Sequence, residues 1–188
     1  MNIKIIPATT DVQIQDVATL AFTIWNEHFV SIIGQEQVDY MVAKFQSYPA
    51  LKEQVQNGYE YFLFELDNTF LGYMGIHKEK DALFLSKLYL LQDARGKGIA
   101  RKALHFLKEL CHIYKLHRIW LTCNKYNEHT LTVYKHLGFQ IIATQESDIG
   151  EGYIMDDYIL EYILTCKIVP KSTSSSLRIR QRGAKPRA

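Results

Sequence analysis

Residues 88–104, LYLLQDARGKGIARKAL, constrain the fold of this chain more than any other stretch. An apolar run typical of a buried strand passes into a loop with Gly96 and Gly98, and an amphipathic pattern typical of a helix follows. Glycine lets the backbone approach a ligand closely, and the first turn of a helix offers free N–H groups and a partial positive charge. Lys97 and Arg101 add positive charge there. The segment therefore predicts a site for phosphate or pyrophosphate.

Two common phosphate-binding patterns do not match this loop. The Walker pattern, GxxxxGK followed by Ser or Thr, is absent from it, and the dinucleotide pattern GxGxxG would need glycine where Arg101 stands. The dinucleotide pattern also needs an acid about 20 residues further on, where the chain has Arg118, Ile119 and Trp120. Both nucleotide-binding interpretations are therefore weakened. For the glycines taken alone, a plain turn before a basic helix stays open.

Hydrophobic periodicity divides the chain into strands and helices. The predicted strands cover residues 2–7, 59–65, 69–77, 83–91, 118–123, 139–145 and 154–164, with a turn at 67–68. The predicted helices cover residues 11–28, capped by Asp11, and residues 35–45, 49–55, 96–114 and 127–137. Antiparallel strands come first and strand–helix crossover units follow, which indicates a mixed α/β fold.

A second informative segment is NKYNEHTLTVYKHLGF, residues 124–139. Seven residues of helix turn about 700°, so Asn127 and Tyr134 share one helix face about 10.5 Å apart. Asn127 can bond to backbone or to a ligand, or it is a plain N-cap. Tyr134 is either a functional group or one more core aromatic among twelve tyrosines.

Together the two segments resemble the GNAT family of acetyl-coenzyme A-dependent N-acetyltransferases. Residues 95–100 match the family signature Gln/Arg-x-x-Gly-x-Gly/Ala, and residues 124–139 are similar to the family's Asn, Tyr and Gly-Phe segment. The resemblance implies a mixed, mostly antiparallel central sheet flanked by helices, with splayed central strands. It also implies that acetyl-coenzyme A is the cosubstrate.

The resemblance assigns the cofactor contacts. It places the pantetheine arm along the strand at residues 88–90 and the pyrophosphate on the backbone of residues 95–101, with Asn127 also touching coenzyme A. The predicted cofactor-binding residues are therefore Leu88, Tyr89, Leu90, Arg95, Gly96, Lys97, Gly98, Ile99, Ala100, Arg101 and Asn127.

Tyr134 is the predicted general acid. A neutral amine attacks the thioester carbonyl, and collapse of the tetrahedral intermediate expels a thiolate that a nearby O–H group can protonate. A tyrosine with an ordinary pKa near 10 is protonated at neutral pH. The base is left unassigned, because many relatives carry Glu where this chain has Ser86, with Lys87 beside it. A water chain, another carboxylate or the small neutral fraction of the amine are the alternatives.

The acceptor pocket of the family forms from the first helices and the late strands. Residues 148–158, a glycine-rich loop followed by Met-Asp-Asp-Tyr, resemble a subgroup that includes bacterial spermidine/spermine acetyltransferases. The predicted substrate-binding residues are Trp25, Glu27, His28, Asp156 and Asp157. Spaced carboxylates, with Asp148 and Glu151 as further candidates, suit a polyamine. For most of these acids, the simpler interpretation is that they lie on a solvated loop and strand edge. For Trp25 and His28, the simpler interpretation is that they pack against the helix.

Composition limits the class of protein. Hydrophobic residues make up 47% and charged residues 22%, and no apolar stretch nears the ~20 residues that span a bilayer. The first residues lack the pattern of a signal peptide, so we expect a cytoplasmic protein without a membrane partner. Three cysteines without a CxxC pair indicate reduced thiols, so neither a disulfide nor a metal site is expected.

The charge is uneven along the chain. Residues 165–188 carry seven Lys and Arg and no acid, whereas residues 1–164 have a net charge of −5. We predict an N-acetyltransferase domain over residues 1–164 and a basic, Ser-rich, disordered tail over residues 165–188. The leading function is acetylation of a small amine such as a polyamine. Alternatives are a protein or peptide acceptor, a non-catalytic acyl-coenzyme A sensor and, disfavoured by the acidic body, nucleic-acid binding through the tail. Family analogy also suggests a homodimer.

Overall fold

The computed structural model describes residues 2–164, so the predicted tail at 165–188 lies outside the described residues. The strands are β1 (Lys4–Pro7), β2 (Tyr59–Leu66), β3 (Thr69–Lys78), β4 (Ala82–Leu90), β5 (Arg118–Asn124), β6 (Gln140–Gly150) and β7 (Tyr153–Ile163). The helices are α1 (Asp11–His28), α2 (Val30–Ile33), α3 (Gln35–Met41), α4 (Tyr48–Gln56), α5 (Ile99–Tyr114) and α6 (Glu128–His136). A π-helical turn, Val42–Gln46, follows α3, and a 3-10 turn, Gln92–Ala94, precedes the glycine loop.

These strands form one sheet in the order β1-β2-β3-β4-β5-β7-β6. Neighbouring strands are antiparallel except β4 and β5, which run parallel and are connected through α5. Parallel neighbours need such a crossover, whereas the antiparallel pairs are joined by short turns or by longer helical excursions. The predicted fold, a mostly antiparallel sheet with flanking helices, is confirmed.

The two central strands separate soon after they meet. Residues 82–84 of β4 pair with residues 118–120 of β5, and the remainder of β4 has no partner on that side. β5 instead stays paired with β7 along its whole length, up to Asn124 opposite Asp157. The sheet is therefore forked between β4 and β5, as the sequence predicted for its central strands.

A β-bulge lies on β4 beside the fork. Gly75 of β3 pairs with Lys87, and Ile76 pairs with Leu85, so Ser86 is an extra residue on β4. A bulge redirects the side chains that follow it. Here it brings Ser86 and Lys87 to the mouth of the fork.

The sheet separates two apolar cores. On one face, α5 packs on β4 and β5 through a cluster that includes Leu83, Leu107 and Ile119. On the other face, the helices before β2 pack on β2 and β3, with Val17 and Leu63 fully buried. The first core therefore spans both strands of the fork, and the second holds the strands beside β4, because burial of apolar surface is the main force that orients packed helices on a sheet.

Two helix starts differ from the prediction. Thr10, not Asp11, is the N-cap of α1: its hydroxyl accepts from the Gln13 N–H, and the Gln13 side chain accepts from the Thr10 N–H. The helix predicted over 96–114 begins at Ile99, because Gly98 adopts a left-handed conformation with φ 79°. The helix predicted over 35–45 ends at Met41 and continues as the π-helical turn.

The late hairpin is also more regular than predicted. β6 continues to Gly150, and the supposed glycine-rich loop shrinks to a tight turn at residues 151–152. Gly150 and Gly152 have φ of 93° and 78°, and Glu151 between them has φ 54°. Pairing with β7 extends the strand, which periodicity alone did not reveal because β6 is exposed along most of its length.

Candidate active site

A cleft of about 880 Å³ opens where β4 and β5 separate. Its walls come from α1, the end of α3 with the π-helical turn, β4, the glycine loop, the start of α5, β5, α6 and the β6–β7 hairpin. Of the predicted site residues, the cleft is lined by Trp25, His28, Leu88, Tyr89, Leu90, Arg95, Gly96, Gly98, Ile99, Ala100, Arg101, Asn127, Tyr134 and Asp157. Lys97, Glu27 and Asp156 do not line it.

The glycine loop leaves room for a ligand at one end of the cleft. Gly96 and Gly98 have φ of 73° and 79°, and a Cβ atom built on either would meet nothing within 4 Å. No side chain caps α5, so the amides of its first turn are free to bind an anion. Arg101 lines the cleft beside them, so this end combines open space, free donors and positive charge.

Two nearby cations have structural partners. Arg95 Nε donates to the Leu90 carbonyl oxygen at 3.1 Å, and its Nη1 lies 3.1 Å from His28 Nδ1. The Lys102 ammonium donates to the carbonyl of Ile3 on the opposite side of the loop. Arg95 therefore ties α1 to the end of β4 and shapes the loop, while its remaining N–H groups line the cleft.

His28 lies at the glycine-loop end of the cleft, beside Arg95. Its pKa is lowered, first by burial and then by the Arg95 charge, while a hydrogen bond with Asn127 opposes the shift. A neutral imidazole can accept the Arg95 proton at Nδ1. His28 thus connects the glycine loop to the start of α6.

The unpaired part of β4 is a second binding element. Backbone groups of residues 85–90 that face the fork have no partner on β5. An extended ligand with amide groups can use such free groups as a further strand would. The sites predicted for pantetheine and pyrophosphate therefore form one continuous path from β4 to α5.

Asn127 and Tyr134 face this path from α6. Asn127 is 5% exposed and occupies the N-cap position, yet its side chain makes no capping hydrogen bond. Tyr134 is 7% exposed, lines the cleft and packs edge-on against Phe139 with ring centroids 5.4 Å apart. Burial raises the pKa of Tyr134 well above its ordinary value, so the hydroxyl stays protonated at neutral pH.

The opposite side of the fork has a mixed surface. Phe84 and Trp120, in the last pair before the strands separate, stack at 4.2 Å. Asp157 lies further along, 6% exposed, and its Oδ1 has no hydrogen-bond partner in the described part of the chain. Burial and the neighbouring Asp156 raise the pKa of Asp157 to about 6.

The other predicted acids are placed elsewhere. Asp156 forms an ion pair with Lys125, and Asp148 accepts a hydrogen bond from the Gly150 N–H within the hairpin turn. Glu27 and Glu151 are not among the residues that line the cleft. Within residues 2–164, Asp157 is thus the one carboxylate that lines the cleft, which sequence spacing did not distinguish.

The residues that line the cleft include predicted site residues and others that the sequence does not identify. Trp25, a predicted site residue, is 3% exposed and forms a wall by packing on Phe29 and edge-on to Tyr89. Trp120 and Lys87 also line the cleft, and the sequence identifies neither of them as a site residue. Their positions depend on the fork and on the bulge, which a single sequence does not show.

No group of three His, Cys, Asp or Glu side chains among residues 2–164 is arranged to hold a metal ion. Cys111 and Cys123 are buried free thiols, and burial raises the pKa of each to about 11 and about 12. None of the helices over the same residues is long and apolar enough to cross a membrane.

A forked sheet with a glycine loop at a free helix N-terminus is the framework of a coenzyme A-dependent acyltransferase. Residues 21–139, more than half of the chain, match the model of the Acetyltransferase (GNAT) family, and the chain belongs to that family. It is an acetyltransferase, and acetyl-coenzyme A is its cosubstrate.

Individual relatives agree with this assignment. The uncharacterised N-acetyltransferase YjgM of Escherichia coli is 30% identical over 129 residues, which cover 62% of this chain and 77% of the relative. The PaiA N-acetyltransferase of Thermoplasma acidophilum, solved with coenzyme A, superposes with a TM-score of 0.72 at 16% identity, covering 87% of this chain and 100% of that one. A GCN5-related N-acetyltransferase of Rhodopseudomonas palustris gives 0.72 at 11% identity, covering 87% and 97%. The two structures, at these identities, show the fold alone.

Proposed function

We propose that this enzyme transfers the acetyl group of acetyl-coenzyme A to a primary amine of a small molecule by direct attack, with Tyr134 as general acid. The observation that carries the proposal is the position of Tyr134, a protonated phenol on the wall of the fork. Pantetheine would lie along residues 88–90, pyrophosphate on the backbone of residues 95–101, and Asn127 beside the pantetheine.

Each group then has a defined task in the reaction. The acceptor amine reaches the thioester carbonyl from the Phe84 and Trp120 side of the fork. As the tetrahedral intermediate collapses, the leaving thiolate takes a proton from the Tyr134 hydroxyl, which avoids expelling a free thiolate into a poorly solvated cleft. Tyr134 regains its proton from the attacking nitrogen, which must lose one N–H proton to become the neutral amide. Asp157 supports a cationic acceptor, because an ionised carboxylate attracts an ammonium group.

The charged residues at the cleft bear on the class of acceptor amine that we propose. A polyamine, the candidate from the sequence, is supported here by Asp157, while Asp156 is paired with Lys125 and Glu27 lies off the cleft. Trp25 and His28 would act as walls of the cleft rather than as contacts to a polycation. A cytoplasmic location and a homodimer likewise remain proposals from the sequence.

The first experiment measures thiol release from acetyl-coenzyme A with a panel of amines: spermidine, spermine, aminoglycosides, amino acids and short peptides. Acetyl transfer to a small amine supports the proposal if the Tyr134→Phe variant loses that transfer. Transfer to peptides alone favours a protein acceptor. Tight binding of acetyl-coenzyme A with no transfer to any amine favours an acyl-coenzyme A sensor, for which the lack of a carboxylate at Ser86 is the motivating observation.

A further inference from the structure

Lys87 is a buried lysine without an acidic partner. It is 7% exposed and directly follows the bulge residue Ser86. Its ammonium nitrogen Nζ lies 2.6 Å from Gln54 Oε1 and 3.2 Å from Ser86 Oγ. Within residues 2–164, none of the ion pairs includes Lys87, because their bases are Lys4, Lys52, Arg118 and Lys125.

The surroundings of Lys87 favour its neutral form. A buried charge without a counter-ion is costly, and burial lowers the pKa of Lys87 from 10.5 to about 7. The titratable groups that face Nζ are Tyr59 and Tyr61, whose ring centroids lie 5.6 and 5.4 Å away. Burial raises the pKa of both tyrosines, so they remain uncharged at neutral pH. A sizeable fraction of Lys87 therefore carries a free lone pair.

Hydrogen bonds orient that lone pair. Gln54 Oε1 accepts from the Tyr61 hydroxyl at 2.6 Å, and Gln54 Nε2 donates to the Phe45 carbonyl at 3.0 Å, so the amide is held with its oxygen toward Lys87. An amide oxygen accepts only, so Nζ must donate to Gln54. Nζ also donates to Ser86 Oγ at 3.2 Å. When Lys87 is neutral, the same contact can reverse, because Nζ then has a lone pair that accepts the Ser86 hydroxyl proton.

Ser86 connects this pair to the reaction site. Both Ser86 and Lys87 line the cleft, on the strand where β4 leaves β5. The side chain of Lys87 extends toward β2 and α4, since its Nζ meets Tyr59, Tyr61 and Gln54. The hydroxyl of Ser86 is therefore the member of the pair better placed to meet an acceptor amine.

We infer that Ser86 and Lys87 together accept the proton of the acceptor ammonium. The inference rests on the proposed function and supplies its missing base. An N–H bond of the acceptor ammonium breaks as a new O–H bond forms on Ser86, and the original Ser86 proton passes to Nζ of Lys87. Ser86 is regenerated, Lys87 becomes an ammonium and the acceptor gains the lone pair that attacks the thioester. Lys87 later releases its proton to solvent, so one proton leaves per acetyl group transferred.

The test is the pH dependence of kcat with an acceptor from the amine panel. Wild-type kcat should rise with pH through about 7 and then level off, because only neutral Lys87 accepts a proton. Lys87→Met and Lys87→Arg should each lose roughly 100-fold in kcat at pH 7. The loss should shrink at higher pH, where the amine itself is more often neutral, and calorimetry should show unchanged affinity for acetyl-coenzyme A.

Three further variants separate a proton acceptor from a structural lysine. Gln54→Glu places a carboxylate beside Nζ, so it should move the rise in kcat to higher pH, and an unmoved profile contradicts the inference. Ser86→Ala should lower kcat, and wild-type kcat in that variant overturns the relay. If Lys87→Arg keeps wild-type kcat while Lys87→Met changes KM alone, Lys87 binds a charge on the acceptor instead.

Failure of the proposed function gives a different result. In that case wild-type protein transfers acetyl to no amine, whatever residue stands at 87. NMR of protein with isotope-labelled lysine then still tests the inference, because a Lys87 pKa near the ordinary value of about 10.4 would overturn it.

Discussion

Tyr134 is surrounded by groups that keep its hydroxyl protonated. It lies on the second turn of α6, against Phe139 and close to Tyr89 and Cys123, with its pKa raised chiefly by burial. A phenol in this state can donate to a leaving thiolate but cannot serve as a base at neutral pH. Its role is thus separable from that of Lys87, whose pKa moves in the opposite direction.

Tyr134→Phe should lower kcat by about 100-fold while leaving the Kd of acetyl-coenzyme A within about twofold, because the ring remains and only the proton donor is lost. Steady-state kinetics and calorimetry measure the two quantities. Tyr126→Phe is the matched control, since Tyr126 is 70% exposed and lies off the cleft. Wild-type kcat in Tyr134→Phe at every pH would exclude Tyr134 as the acid.

Gly98→Asp should raise the Kd of acetyl-coenzyme A at least ~10-fold, a change of about 1.4 kcal/mol. It places a negative charge beside the pyrophosphate, at a residue with φ 79° that most side chains avoid. Gly98→Asn is the control, since asparagine tolerates this conformation and carries no charge. Equal affinities of wild type and both variants by calorimetry would remove the phosphate-loop assignment.

Residues differ in how far sequence alone could place them. The loop at Gly96 and Gly98 could be located from the sequence because a strand-like run precedes it and an amphipathic helix follows, although the two glycines alone would also suit a plain turn. Asp156 and Asp157 are neighbours, and only the structure shows that one pairs with Lys125 while the other lines the cleft. The burial of Lys87 depends on Gly75 of the adjacent strand β3 and on Tyr61 of β2, two strands away, so no local pattern signals it.

The bounds of helices and strands were predicted well where the local sequence determines them, and poorly where pairing with a distant strand determines them. The amphipathic pattern of α5, and the turn at 67–68 between β2 and β3, placed those elements within a few residues. Pairing with β7 lengthened β6 by five residues beyond the predicted end at 145. The π-helical turn after Met41 has no recognisable sequence signal, yet it brings Phe45 and Gln46 to the cleft.

The capping box of α1 gives an element-scale prediction. Thr10→Ala removes the hydroxyl that accepts from the Gln13 N–H, so it should cost about 1 kcal/mol and lower Tm by about 2–4 °C. Thermal unfolding measures this change, with Thr9→Ala as the neighbouring control. An unchanged Tm would mean that another group satisfies the start of α1. Turnover at low temperature should be unaffected, since the cap lies at the end of α1 away from His28.

The whole molecule combines a mildly acidic body with a basic tail. Within residues 2–164, the cleft draws on β4, β5, β6 and β7 and on helices from both faces. The seven basic residues beyond position 164 have no assigned part in the transfer reaction.

Protein ending at residue 164 should therefore keep kcat and the affinity for acetyl-coenzyme A within about twofold, because β7 ends at Ile163. Any binding of nucleic acid through the tail should vanish in the same protein, since its positive charge is lost. Activity assays and a DNA-binding titration at low salt test both statements. Loss of turnover on truncation would assign the tail a role in transfer or in folding.

The short junction between β4 and β5 has a consequence for hydrogen exchange. Three residue pairs join the strand group β1–β4 to the group β5–β7, so the sheet is only locally continuous at its centre. A cosubstrate lying in the fork adds hydrogen bonds between the two groups and, by binding the native state alone, raises the free energy of unfolding. We expect those amides of residues 85–90 that face the fork to exchange more slowly once acetyl-coenzyme A is added, as hydrogen-exchange mass spectrometry can measure. In that arrangement the cosubstrate would supply the strand that is missing between β4 and β5.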